Sequence, residues 1–254
     1  MCADFEHDSP TMSESDGIRY LHFGTEWIQG AMRTRKPAEL VLAYTQQMMA
    51  WLMFTRPGKQ DKLAILGLGA GSLLRFCLKN TPCQVRTVEW NPAVTGICQA
   101  FFRLPGSDRS QIDHEDAGVW VQDPDQHGQY RALMVDLYDA SAQGPVRDSL
   151  EFYQNCRAVL DGEGIMTVNL FGAHPSFERN ISHIRQAFEG KVLLLPEMDE
   201  GNQVVLAFKG DALEITAGEL LERAMQVQAD HQLPAQRWAR ELLSALRDTG
   251  ARRP

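Results

Sequence analysis

Nowhere in the 254 residues do about eighteen apolar residues run together, so no stretch has the length of a membrane-crossing helix. Basic residues are in deficit: Lys and Arg number 25 against 33 Asp and Glu, a formal charge of -8. Phosphate backbones are bound by clustered Lys and Arg that this chain lacks, which excludes a general nucleic-acid binder. Cysteine is sparse and scattered. Cys2, Cys77, Cys83, Cys98 and Cys156 form no C-x-x-C pair and no ligand pattern with His, so they read as reduced thiols with no metal site and no disulfide framework. From Met1 to Gly17 the chain is polar and acidic with no apolar signal-like core, and no internal repeat is present. The expectation is a cytoplasmic protein with neither a membrane nor a nucleic acid as partner. Its 44% hydrophobic content is enough for a sizeable core.

What is there begins with Lys62-Leu63-Ala64-Ile65-Leu66, an apolar run that breaks into Gly67-Leu68-Gly69-Ala70-Gly71 and resumes at helical spacing through Ser72-Leu73-Leu74-Arg75-Phe76. This reads as strand, tight turn, helix. Glycine admits positive φ and a close-lying ligand, and the helix start offers unpaired N–H groups. A second apolar segment, Gln84 to Val88, ends in Glu89 about twenty residues on, where a carboxylate would accept from a ribose hydroxyl. The G-x-G-x-G spacing is tighter than the dinucleotide G-x-G-x-x-G and suits an adenosyl sulfonium of the S-adenosylmethionine type, which has no pyrophosphate to seat.

The remaining segments divide the chain. Residues 1–16 lack period and read as a disordered leader, and residues 17–36 read as a β-hairpin around Gly24-Thr25-Glu26. Residues 37–210 form the Rossmann-like domain, opened by a helix from Pro37 to Phe54 that carries Tyr44. Asn91-Pro92 starts a helix with Val94, Ile97, Cys98, Phe101 and Phe102 as buried positions. Asp116 stands between a strand and a helix, as an N-cap, an acceptor for an adenine amine, or both. The strand Tyr130 to Val135 ends at Asp136-Leu137-Tyr138-Asp139, two acids where an open α/β sheet places its ligand crevice. A fifth strand spans Gly164 to Phe171 after a helix from Ser149 to Leu160, and Lys191–Leu195 with Gln203–Phe208 read as a closing antiparallel pair. Residues 211–254 form a helical tail. His22 reads as an ordinary packed histidine.

With these features in this order the chain resembles the spermidine synthase (polyamine aminopropyltransferase) family, over roughly Tyr20 to Phe208. Gln29, the Tyr44-Thr45-Gln46 segment, Asp136 to Asp139 followed by Gly144-Pro145, and Glu151-Phe152-Tyr153-Gln154 carry the resemblance further. It implies an α/β fold of the S-adenosylmethionine-methyltransferase type: a mostly parallel sheet with a final antiparallel strand, a short N-terminal hairpin and a helical tail. It implies transfer of an aminopropyl group from decarboxylated S-adenosylmethionine to an amine, without a metal, with a homodimer left open. Residue by residue, Gly67, Gly69, Gly71 and Glu89 would hold the nucleoside, with Glu89 on the ribose and Asp116 on the adenine. Gln29 and Asp139 would hold the donor's amino end or the amine substrate, Asp136 would be the general base, and Tyr44 would join the catalytic group. The chain departs from the family in having Tyr44-Thr45-Gln46 for Tyr-His-Glu and Asp136-Leu137-Tyr138-Asp139-Ala140 for Asp-Ser-Ser-Asp-Pro. The acceptor is therefore open. An S-adenosylmethionine-dependent methyltransferase and an inactive nucleoside-binding homologue would share the same sheet and Glu89.

Overall fold

The computed structural model describes residues 9–138, 146–198 and 201–250, with side chains described as far as residue 246. A three-stranded antiparallel sheet comes first, from β1 (Pro10–Ser15), β2 (Ile18–Phe23) and β3 (Gly30–Arg33) in that order. The expected hairpin is β2 and β3. Pro10–Ser15, placed in the disordered leader by its composition, is instead a strand, because Thr11 and Met12 lie in register against His22 and Leu21 and complete a ladder that β2 alone would leave open.

The expected long helix is replaced by α1 (Ala43–Gln47), which continues as a 3₁₀ turn over Met48–Met53. Pro37 and Leu40 spend their carbonyls on the side chains of Arg75 and Gln46 rather than on a helical ladder. All six residues of the 3₁₀ turn are buried, as a helix apolar on every side requires.

Then follow β4 (Lys62–Leu66), α2 (Ser72–Asn80), β5 (Gln84–Val88), α3 (Pro92–Phe101), β6 (Ser110–Asp113), α4 (Ala117–Trp120) and β7 (Tyr130–Val135). The second half of the chain adds α5 (Leu150–Val159), β8 (Leu160–Phe171), α6 (Phe177–Ala187), β9 (Val192–Leu194), β10 (Asn202–Phe208), α7 (Ala217–His231) and α8 (Ala235–Gly250). Seven strands form one sheet in the order β6-β5-β4-β7-β8-β10-β9, parallel up to β8, with β10 antiparallel to both of its neighbours. This is the anticipated fold class. The caps follow the sequence: Asn91 accepts from Ala93 N at 3.0 Å with Pro92 behind it, Ser149 accepts from Phe152 N, and Thr216 with Glu219 makes a capping box.

Along β4, alternate residues face opposite layers, as a strand covered on both sides must. Leu63 and Ile65 join the layer of the 3₁₀ turn, α2, α7 and α8; Ala64 and Leu66 join that of α4, α5 and α6. Leu220, Ala224, Trp238 and Leu242 are buried in the first layer, so the helical tail is part of the main core. Two details are not anticipated by the sequence pattern. Phe101 is 43% exposed while Phe102 is fully buried, because α3 ends there and the chain turns. The helix α6, which no expectation covered, packs Ile181, Ile184 and Ala187 at helical spacing.

Candidate active site

The site follows from the register of four adjacent parallel strands. Leu66 lies opposite Val88 of β5 and Val135 of β7, and Val135 lies opposite Val168 of β8. One residue beyond that row stand Gly67, Glu89, Asp136 and Asn169, at the carboxyl ends where the strand order reverses between β4 and β7. Leu66, Val88, Val135 and Val168 face one core layer, so the next position on each strand faces the other way. There a cavity of about 690 Å³ opens, a size suited to a small-molecule ligand.

Gly67 is at φ 92°, and a Cβ there would lie 2.2 Å from the backbone oxygen of Asp136. Only glycine permits that approach. Gly69 also lines the cavity; the nearest atom to a Cβ on it is the carbonyl oxygen of Gln29, at 3.2 Å. Gly71 does not line it: its φ of 73° ends the turn as the N-cap of α2, against Arg75 and Leu104. The N-terminal sheet is fastened to this turn. Gly30 abuts Ala70 so closely that a Cβ would sit 2.6 Å from the Ala70 methyl, and Ser72 Oγ donates to Ala31 O at 2.9 Å. Gln29 thereby reaches the cavity wall, with Trp27 and Ile28, 61% and 46% exposed, beside it at the rim.

Glu89 is buried; one carboxylate oxygen accepts from Leu68 N at 3.0 Å and the other from Asn91 N at 2.9 Å. Burial raises its pKa, and the backbone N–H donors of Asn91 and Leu68 oppose the rise. The carboxylate is thus fixed in orientation at the cavity wall by backbone donors, that of Trp90 among them. Asp116 combines the two anticipated positions: its Oδ1 caps α4 through Gly118 N at 2.8 Å and Val119 N at 3.2 Å, and the residue lines the cavity. It also pairs with Arg147, which likewise lines the cavity.

Asp136 lies at the cavity wall between Tyr44 and Asn169. Asn169 Nδ2 donates to its Oδ1 at 3.0 Å, and the Tyr44 hydroxyl also hydrogen-bonds the carboxyl. Burial pushes Asp136 up to about 6 although both donors favour its ionised form. Burial first, and the neighbouring Asp136 second, push the Tyr44 phenol up as well. Asn202 Nδ2 donates to Asn169 Oδ1 at 3.1 Å, so a line of dipoles runs Asn202 to Asn169 to Asp136. Tyr138 stands beside it.

Tyr44, Gln29, Gly67, Gly69, Glu89, Asp116 and Asp136 therefore share one cavity, and Asp139 lies outside the described residues. Thr45 and Gln46 do not line it; their side chains bond the carbonyls of Leu42 and Leu40. Asn169 and Asn202 are not singled out by the sequence, and Tyr138 figures there only in the segment that departs from the family motif, with no role attached. The signal for Asn169 was a lone amide in the apolar run Ile165 to Phe171, whereas Asn202 comes from a distant strand. His22 is an ordinary histidine, bonded to Ser13 Oγ and Trp27 O. The described cysteines, Cys77, Cys83, Cys98 and Cys156, are free and buried, and none lines the cavity, although Cys98 Sγ donates to Gly69 O at 3.1 Å from behind the glycine turn. No described helix is long and apolar enough to cross a membrane.

No family model matches the chain. It is 32% identical over 215 residues to the polyamine aminopropyltransferase of Neisseria meningitidis serogroup A, covering 84% of this chain and 81% of that one. Among solved structures, a probable spermidine synthase from Corynebacterium glutamicum superposes with a TM-score of 0.69 at 15% identity, over 85% of this chain and 83% of that one. Human methyltransferase-like protein 13 in complex with SAH superposes with a TM-score of 0.67 at 20% identity, over 76% and 93% of the two chains. At those identities the structural likeness concerns the fold.

Proposed function

Because the chain belongs to the polyamine aminopropyltransferase family, we propose that it moves an aminopropyl group from decarboxylated S-adenosylmethionine to an amine, with Asp136 as the base. The observation that carries the reading is the part-buried carboxyl of Asp136, held by Tyr44 and Asn169 one strand from Gly67 and two from Glu89 in a single cavity. In this reading Glu89 accepts from the donor's ribose, Asp116 faces the adenine, Gln29 lies along the aminopropyl side, and Asp139 holds the cationic acceptor.

The reaction is an in-line displacement. The amine nitrogen forms a bond to the propyl carbon next to the positive sulfur, and the carbon–sulfur bond breaks. Its electron pair stays on sulfur and leaves methylthioadenosine as a neutral thioether. An alkylammonium, titrating near about pH 10, has no lone pair for this attack. Asp136 takes its proton, and a carboxyl raised to about 6 is better matched to that task than one at the ordinary aspartate value. The rest of the acceleration is positioning.

Incubation with labelled decarboxylated and intact S-adenosylmethionine, each with a panel of amines, tests the reading by mass spectrometry. An aminopropylated amine with methylthioadenosine, formed only from the decarboxylated donor, is the expected result. Methylated product from the intact donor would overturn it in favour of a methyltransferase, and no product with any pairing would leave a binding protein. The cytoplasm as its setting and a homodimer as its state belong to the same reading, and cell fractionation and light scattering test them.

A further inference from the structure

Eight buried side-chain polar atoms have no hydrogen-bond partner among the described residues, in Gln47, Trp51, Thr87, Arg131, Tyr138, Arg157, Thr167 and His231. Of these residues only Tyr138 lines the cavity. A buried hydroxyl without a partner is costly, and such a group at a ligand cavity has its explanation in the ligand. Its surroundings say which part of the ligand. Tyr138 and Tyr44 are close enough to the Asp136 carboxylate for each to feel its charge, and Tyr44 is already engaged with it. The Asn202 amide, which donates to Asn169 Oδ1, also bears on the Tyr138 oxygen as a donor but short of well-formed hydrogen-bond geometry, so the oxygen keeps lone-pair capacity for a ligand. The unengaged oxygen therefore borders the place where a nitrogen bound to Asp136 must sit.

We propose that the Tyr138 hydroxyl oxygen accepts a hydrogen bond from the acceptor amine, so that Asp136 and Tyr138 together hold the nucleophilic nitrogen beside the donor, and the lone pair freed when Asp136 takes a proton turns to the donor carbon while the Tyr138 contact is kept. The inference rests on the aminopropyl-transfer reading and adds to it a residue that touches substrate. Two N–H bonds, one to a carboxylate and one to a phenol, fix an attacking nitrogen more closely than the carboxylate alone. The phenol suits this role because burial and the charge of Asp136 push its pKa well above the ordinary tyrosine value, which keeps it neutral. It can then accept from an ammonium and stay in contact after Asp136 has taken the proton.

The test is Tyr138→Phe, which keeps the ring and its packing and removes only the oxygen. With the amine that the wild type alkylates fastest, the acceptor KM should rise roughly tenfold or more, the loss expected for a hydrogen bond from a charged donor. Calorimetric affinity for methylthioadenosine should stay within twofold of wild type, and the melting temperature should not fall, because no described residue makes a well-formed hydrogen bond to the hydroxyl. An acceptor KM within twofold of wild type overturns the inference, as does a drop in melting temperature with the KM unchanged, which would mark a structural hydroxyl. Wild type that alkylates no amine overturns the parent reading instead, and this inference with it.

Discussion

Replacing Asp136 by Asn keeps the shape of the side chain and removes its charge, and the burial that would suit this carboxyl to act as a base also makes its ionised form unfavourable to the fold. Raising an aspartate from 3.8 up to about 6 costs its ionised form about 3 kcal/mol. The sign follows from proton binding. Between about pH 4 and pH 6 the folded protein holds a proton that the unfolded chain has already released, so stability falls as pH rises through that window. Below the window the penalty is absent, and above it the penalty is complete. An asparagine carries no such charge. Asp136→Asn should therefore melt higher than wild type near neutral pH, by about 5–10 °C for a chain of this size, and the gap should close as pH is lowered toward about 4. Turnover of the best amine should fall roughly a hundred- to ten-thousand-fold in the same variant, while affinity for methylthioadenosine changes little. Thermal melts of both proteins at several pH values, with initial rates at each, measure both halves. A variant that melts at or below wild type at neutral pH would refute the claim that this carboxylate is held ionised against its burial. A gap of equal size at every pH would refute it equally, and full activity would refute the assigned base.

Other perturbations probe the neighbours. Tyr44→Phe removes a donor that favours ionised Asp136, so the acidic limb of kcat/KM should move from about pH 6 to higher pH by roughly half to one unit; a limb that stays in place refutes the contact. Glu89→Ala should weaken methylthioadenosine binding roughly ten- to a hundred-fold by calorimetry, and should lower the melting temperature because Leu68 N and Asn91 N lose their acceptor. Gly67→Ala sets a Cβ 2.2 Å from the Asp136 carbonyl at a positive φ, and a large loss of melting temperature or of soluble protein is expected; wild-type stability would contradict the geometry.

The sheet was legible because its signals were local. Strands β4, β5 and β7 are short apolar runs, each followed by a turn or a polar residue, and the glycine turn announces a helix in the next breath of sequence. What failed was decided by distant partners. Pro10–Ser15 has no strand pattern of its own and is ordered by β2, and the 3₁₀ turn at Met48–Met53 is set by burial on every side rather than by period. The same division runs through the site. Glu89 and Asp136 stand at strand ends visible in sequence, and Asp116 is a cap by local chemistry. The contact of Asn202 with Asn169 joins residues 33 apart on antiparallel strands, and no local pattern encodes it. Gly71, grouped by its spacing with the ligand-facing glycines, lies off the cavity lining, and its conformation serves the start of α2.

Register explains why the glycine turn and Asp136 form one rigid unit at the cavity. Gly67 N donates to Val88 O, Glu89 N to Asp113 O and Asp136 N to Leu66 O, so the ladder continues one residue past the strands and fixes the backbone of all three site residues. The missing Cβ of Gly67 then lets the glycine turn lie directly on the carbonyl of Asp136. The turn that would seat the nucleoside is thereby packed on the backbone of the base that would accept the amine's proton, with no flexible segment between them. A slip of one residue between β4 and β7 would turn Asp136 to the opposite face of the sheet and place it in the core layer of α4, α5 and α6. The apolar residues before it, Leu133 and Val135 on one face and Ala132 and Met134 on the other, are buried in their respective layers and hold the strand against that slip. The precision required for displacement at carbon thus rests on ordinary core packing below the site, and the polar chain from Asn202 through Asn169 needs only to orient a carboxylate whose position the sheet has already set.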